Sequence, residues 1–190
     1  MESAAKTLPI NWQDRPRGGF SPLDKILRID PGRAYELTIL VPRIVGCDTH
    51  YIDGRTVPCT ELKAPRPRRC HVEHRDTSSR WQGWLAVQAP RTPVVKFLCV
   101  TQAAGRDNPW LTDKDRNLRG LTVTVQRMGS HKQSKLTIRA SSQVHEGQRL
   151  CAAPDMIAFL VNLWGPMVME SLERENARSA NPLLYAGESR

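Results

Sequence analysis

The sequence predicts a mainly β domain of five short strands, interrupted by one long polar loop and followed by a C-terminal helix. Three observations predict it. Apolar residues recur with period two in separate short segments, the pattern of strands with one face covered. One stretch, Cys47 to His74, is too poor in apolar residues to form a core, yet holds three of the five cysteines and three of the five histidines. A single apolar run at Met156–Trp164 has helical length and follows Pro154-Asp155, a helix-opening pair.

Residues 1–33 read as a basic, irregular arm. Pro9, Pro16, Gly18, Gly19, Pro22, Pro31 and Gly32 break any regular pattern, and Ser21-Pro22 opens at most one helical turn. Such an arm covers a sheet edge or touches a phosphate backbone. The first strand spans Ala34 to Val45, with Tyr35, Leu37, Ile39 and Val41 on one face. Residues 47–79 are its insertion. The second strand, Arg80 to Gln88, puts Trp81, Gly83, Leu85 and Val87 on one face and Gln82, Trp84, Ala86 and Gln88 on the other. After the turn Ala89-Pro-Arg-Thr-Pro comes the third strand, Val94 to Thr101, apolar on both faces. Residues 102–118 are polar and broken, with Trp110 and Leu111 placed to pack a short helix or turn under the sheet. Leu121, Val123 and Val125 mark the fourth strand; Leu136 and Ile138 mark the fifth. Residues 34–150 thus form one domain. A helical segment follows over 151–176, with a frayed tail over 177–190.

Five strands with a helical link between the third and fourth follow the order of the OB-fold, a Greek-key barrel. The fold class read from the sequence is therefore a five-stranded OB-like barrel with a zinc-binding insertion loop and a C-terminal helix. That fold binds oligonucleotides through its strand 2–3 face and the loops joining strands 1–2 and 4–5. Charge falls in those loops. Arg55, Lys63, Arg66, Arg68, Arg69, Arg75 and Arg80 face only three acids in the first loop region. Arg119, Arg127, Lys132, Lys135 and Arg139 face none in the second. Over the whole chain Lys and Arg number 28 against 19 Asp and Glu, a net charge of +9. A surplus of that size points to a polyanionic partner.

Thiolate and imidazole ligands suit tetrahedral zinc. The preferred set is His50, Cys59, Cys70 and His74, with Cys47 as substitute; the competing reading is free thiols and surface histidines on a loop. The ion would be structural. A Cys/His loop between the first two strands of an OB-fold resembles the zinc-containing phage-type single-stranded DNA-binding proteins. Those use one His followed by three Cys, and His50, Cys59 and Cys70 follow that order. This chain departs from the pattern with His74 in the last position and with no acidic C-terminal tail. The resemblance implies single-strand binding, with DNA favoured over RNA.

Candidate nucleic-acid contacts are Arg55, Arg66, Arg68, Arg69, Arg75, Arg127, Lys135 and Arg139, with His131 and Lys132 in the strand 4–5 loop. Trp84 and Tyr51 are candidates for base stacking; the alternative for Trp84 is packing under the loop or the C-terminal helix. Trp81, Trp110 and Trp164 read as core, and Cys99 and Cys151 as small buried or half-buried residues. The runner-up function is a zinc-stabilised interaction subunit of a larger nucleoprotein or replication/recombination assembly, docking a protein partner through the apolar helix. No phosphate-binding loop, dinucleotide fingerprint, nucleophile elbow or HExxH is present, so an enzyme is not expected. Glu73, between candidate ligands, leaves a metal-dependent nuclease as the catalytic alternative. The apolar run Met156 to Val168 is shorter than the roughly 20 residues a membrane-crossing helix needs. No apolar leader is visible either. The expectation is a cytoplasmic, nucleic-acid-associated protein with thiols rather than disulfides.

Overall fold

The computed structural model describes residues 22–52, 54–59, 79–90, 92–129, 134–141 and 149–173. Its centre is one sheet of seven antiparallel strands that curls into a half-barrel. The strands are β1 (Ala34–Ile39), β2 (Val45–Ile52), β3 (Arg55–Pro58), β4 (Arg80–Gln88), β5 (Val95–Thr101), β6 (Thr122–Arg127) and β7 (Leu136–Ala140). They run in the order β3-β2-β4-β1-β6-β7, with β5 on the other edge of β4. The helices are α1 (Gln102–Asp107) and α2 (Met156–Trp164), and residues 168–173 are helical as well. Short 3-10 turns occupy Pro22–Lys25 and Pro109–Leu111. No helix among the described residues is long and apolar enough to cross a membrane.

The first strand expected from the sequence is two strands. Ile39 pairs with Val87, and Val45 pairs with Trp84. Five residues on one side therefore oppose two on the other, a wide bulge that bends the strand. The bulge keeps its backbone bonded. Leu40 N–H donates to Ala86 O, Leu118 N–H to Pro42 O, and Gly120 N–H to Ile39 O. The Arg119 guanidinium donates to Leu40 O and to Cys151 O. Period-two patterning ran on through Val41, so nothing in it signalled the break.

The second correction concerns the insertion. Residues 45–52 and 55–58 form a hairpin on the sheet and are not part of a free loop. Ile52 pairs with Arg55, and Gly54 between them has φ 78°, a conformation open to glycine without strain. Asp53-Gly54 is a standard two-residue hairpin signal. The Cys and His count of the stretch drew attention away from it.

Alternation sorts the side chains. The inner face carries Leu37, Ile39, Leu85, Val87, Leu98, Val100, Val123, Val125 and Ile138, all buried. Trp81 also points inward and lies across glycines. A Cβ on Gly46 would sit 2.7 Å from the Trp81 ring and 2.8 Å from Gln82 O; one on Gly105 would sit 3.2 Å from the ring. The outer face of β4 and β5 carries Trp84, Phe97 and Cys99, and α2 covers part of it. Met156, Phe159 and Leu160 lie on one helical stripe and are buried, while Ile157 and Asn162 are exposed. The helix is thus one-sided, although its sequence is apolar nearly all round. Asp155 caps it by accepting from Ala158 N–H at 2.9 Å.

Part of the N-terminal arm covers a sheet edge. Leu27 N–H donates to Phe97 O at 2.8 Å, and Ile26 bridges Phe97 in parallel. Pro31 makes a similar bridge to Arg127. Residues 1–21 and 174–190 lie outside the described residues.

A methyl group at Gly46 meets both a ring and a carbonyl. Gly46→Ala is expected to destabilise the fold by about 1–3 kcal/mol, the usual range for overpacking. Urea unfolding of the variant and the parent measures it.

Candidate nucleic-acid interface

The hairpin β2–β3 and the start of β4 build two hollows. The first has a volume of about 700 Å³ and lies between β3, the outer face of β4, the end of α2 and the Pro22–Lys25 turn. Its walls are Leu23, Ile26, Val57, Pro58, Leu163 and Trp164, with Arg55 and Trp84 also lining it. The second, about 580 Å³, is lined by His50, Tyr51, Arg80, Trp81, Gln102 and Arg106 among others. Thr56 and Gln82 line both hollows, so the two adjoin. Arg55, Arg80 and Arg106 are exposed. Among the described residues no acidic side chain lines either hollow.

Antiparallel pairing explains how these groups meet. Thr49 pairs with Arg80, and its hydroxyl donates to Arg80 O at 2.9 Å. That fixes Arg80 beside the end of β2. Tyr51 pairs with Thr56 and is 65% exposed, which leaves its ring open to a planar partner. Thr101 caps α1 by accepting from Ala104 N–H at 3.3 Å, which sets Arg106 at the edge of the second hollow.

The expected ligand and contact residues divide as follows. His50 is 8% exposed and Cys59 3%. His50 pairs with Val57, and Cys59 N–H donates to Asp48 O at 2.8 Å, one ladder position further on. Pairing places His50 and Cys59 on the same face at diagonal positions, near enough for both to reach one ion. Cys47 is fully buried and pairs with Gln82, so it faces the opposite side. Cys70, Glu73 and His74 lie outside the described residues, as do Arg66, Arg68, Arg69, Arg75, His131 and Lys132. No group of three or more His, Cys, Asp or Glu side chains able to hold a metal occurs among the described residues.

Trp84 is the clearest departure from the stacking expectation. It is 3% exposed, with Phe159 at 5.4 Å and Trp164 at 5.9 Å between ring centroids, both edge-on. Phe97 stacks on Phe159 at 3.6 Å. Trp84 is thus held under the C-terminal helix and not on an open surface. Its Nε1–H is buried and finds no acceptor among the described residues. Arg127 is half-buried, and its guanidinium donates to Ser134 O at 2.8 Å and Ile29 O at 3.4 Å. Lys135 pairs with Asp107 at 2.7 Å, with both side chains about half exposed. Arg139 is exposed. Trp110 is half-buried under the Arg116 guanidinium, 5.3 Å from its centroid. Sequence reasoning missed Arg106, whose place depends on where α1 docks.

Cys99 lies on the outer face of β5 and accepts from Gln82 Nε2. Burial pushes its thiol up, and the Gln82 N–H opposes this more weakly. No family model matches the chain, and neither a curated protein nor a solved structure matches it.

A raised thiol holds less thiolate, the reactive form. Brief alkylation at pH 8 is expected to modify Cys99 more slowly in the native protein than in urea. Peptide mapping by mass spectrometry reads the difference.

Proposed function

We propose that the chain binds single-stranded nucleic acid, DNA in preference to RNA, with little dependence on sequence. The observation that carries this reading is the pair of adjoining hollows lined, among the described residues, by Arg55, Arg80 and Arg106 and by no acid. A positively charged track beside exposed rings suits a flexible polyanion whose bases are free to stack. Tyr51 supplies an exposed ring, and the net charge of +9 draws the ligand from a distance.

The strand order supports an OB-like reading of the sheet. Taken together across the bulge, β1 and β2 act as one long strand that pairs β4 along its length and β6 at its start. The remaining order, β4, β5, α1, β6, β7, is that of the five-stranded barrel. On that reading the hollows lie along strands two and three and the loop between strands one and two. Arg66, Arg68, Arg69 and Arg75 of the same insertion are further candidate contacts by sequence. Lys135 is held by Asp107 of α1, and Arg139 is exposed.

A structural zinc ion completes the proposal. His50 and Cys59 share one face of the hairpin, and Cys70 and His74 supply the remaining ligands. The ion would tie the basic insertion to the hairpin and contribute to folding outright. Metal analysis is expected to find one zinc per chain. His50→Ala and Cys59→Ala are expected to lose it, while Cys47→Ala retains it. Retention by the first two variants would remove the ion from this hairpin.

Binding of a fluorescent 20-nucleotide oligomer, followed by anisotropy, tests the function. Affinity should fall with salt, by about 0.7 in log K per unit log salt for each phosphate contacted. Combined reversal at Arg55, Arg80 and Arg106 to Glu should weaken binding at least about tenfold at low salt and flatten that slope. Binding that ignores salt, or no binding to single strands, refutes the reading.

A further inference from the structure

We propose that the first hollow is a pocket for one base of the bound strand, whose carbonyl oxygen accepts a hydrogen bond from Trp84 Nε1–H. The inference rests on the single-strand reading above and adds to it a specific contact. Two independent observations carry it. The first is the hollow itself, about 700 Å³, walled by Leu23, Ile26, Val57, Pro58 and the half-buried Trp164. The second is the Trp84 donor, in a side chain 97% buried that lines this same hollow, with no acceptor among the described residues.

A buried donor without an acceptor is unfavourable, and folded proteins rarely keep one without a use. A planar group fits apolar walls and indole rings, and the orphan donor asks that group for an acceptor. The exposed Arg55 at the rim and the arginines of the adjoining hollow ask for an anion linked to it. A nucleotide within a strand meets all three demands. Thymine suits the donor well, since it carries two carbonyl oxygens. Nε1 has no solvent contact in the free protein, so on this proposal the side chains around it shift as the base enters.

The test compares an oligothymidylate with an abasic strand of the same length, using the full chain and Trp84→Phe. That change keeps an aromatic ring and removes the N–H. Trp84→Phe is expected to bind oligothymidylate about fivefold more weakly, as for one neutral hydrogen bond, and the abasic strand as the parent does. Its melting temperature should not fall for want of the N–H, because that N–H bonds nothing in the free protein. In the parent labelled with 15N-tryptophan, one indole N–H signal, missing in the variant, should move on adding oligothymidylate and stay fixed with the abasic strand. Equal affinity of parent and variant for oligothymidylate, an equal loss on both strands, or an unmoved indole signal overturns the pocket and leaves strand binding standing. Absence of parent binding to either strand overturns both.

Discussion

The Trp81 ring demands that its neighbours carry no side chain. It lies against Gly46 of β2, Gly83 of its own strand and Gly105 of α1. Any Cβ at the first two would overlap the ring. This close approach lets β2 stay paired to β4 as far as Thr49 and Arg80, and lets α1 dock at the end of β5. The three exposed arginines of the hollows come from β3, β4 and α1. Their convergence therefore depends on the packing of one ring, which also lines the second hollow.

The bulge at 40–44 makes a second requirement. A flat sheet would not bring β6 and β2 to opposite halves of one strand pair. Five residues against two turn the chain, and the curl closes the inner face around Leu85, Val87, Val123 and Val125. The cost of breaking the ladder is offset locally. Backbone groups of 118–121 and the Arg119 guanidinium bond what the bulge leaves open. Gln88 carries the stitching further: it is buried, accepts from Cys151 N–H at 3.0 Å and donates to Arg149 O at 3.3 Å. Those contacts hold the segment leading into α2 against β4.

Much of this was legible in the sequence. The strands at 122–127 and 136–140 alternate, because each has one face on the core and the pleat has period two; those at 80–88 and 95–101 carry apolar residues on both faces, the mark of strands covered on both sides. The start of α2 was legible from Asp155. The bulge was only partly so: Pro42 suggests a bend or an edge position near the end of the strand, but Leu40 and Val41 are apolar whether the strand continues or breaks. The hairpin was marked by Asp53-Gly54, but a stretch rich in Cys, His and Arg reads as loop. Trp84 shows the limit of face arguments. Its neighbours Gln82 and Gln88 made the face look wet, yet both glutamines bond to the protein itself. What covers a face is settled by an element 70 residues away.

That element, α2, explains how an unbonded indole donor is tolerated. Leaving the Trp84 N–H without an acceptor costs about 1–3 kcal/mol. Burying Met156, Phe159 and Leu160 contributes about 1.5–3 kcal/mol for each side chain, and the Phe97–Phe159 stack adds to it. Apolar packing therefore wins, and the helix rests on the sheet with the donor unmet. The balance is nonetheless uneven along the helix. Its first turns carry the fully engaged residues, while Leu163 and Trp164 at its end are half-buried and line the hollow. Gly165 follows at φ 85°, ending the helix beside them. A ligand that offers an acceptor to Trp84 thus competes with the half-buried Leu163 and Trp164 and leaves the buried first turns of α2 in place.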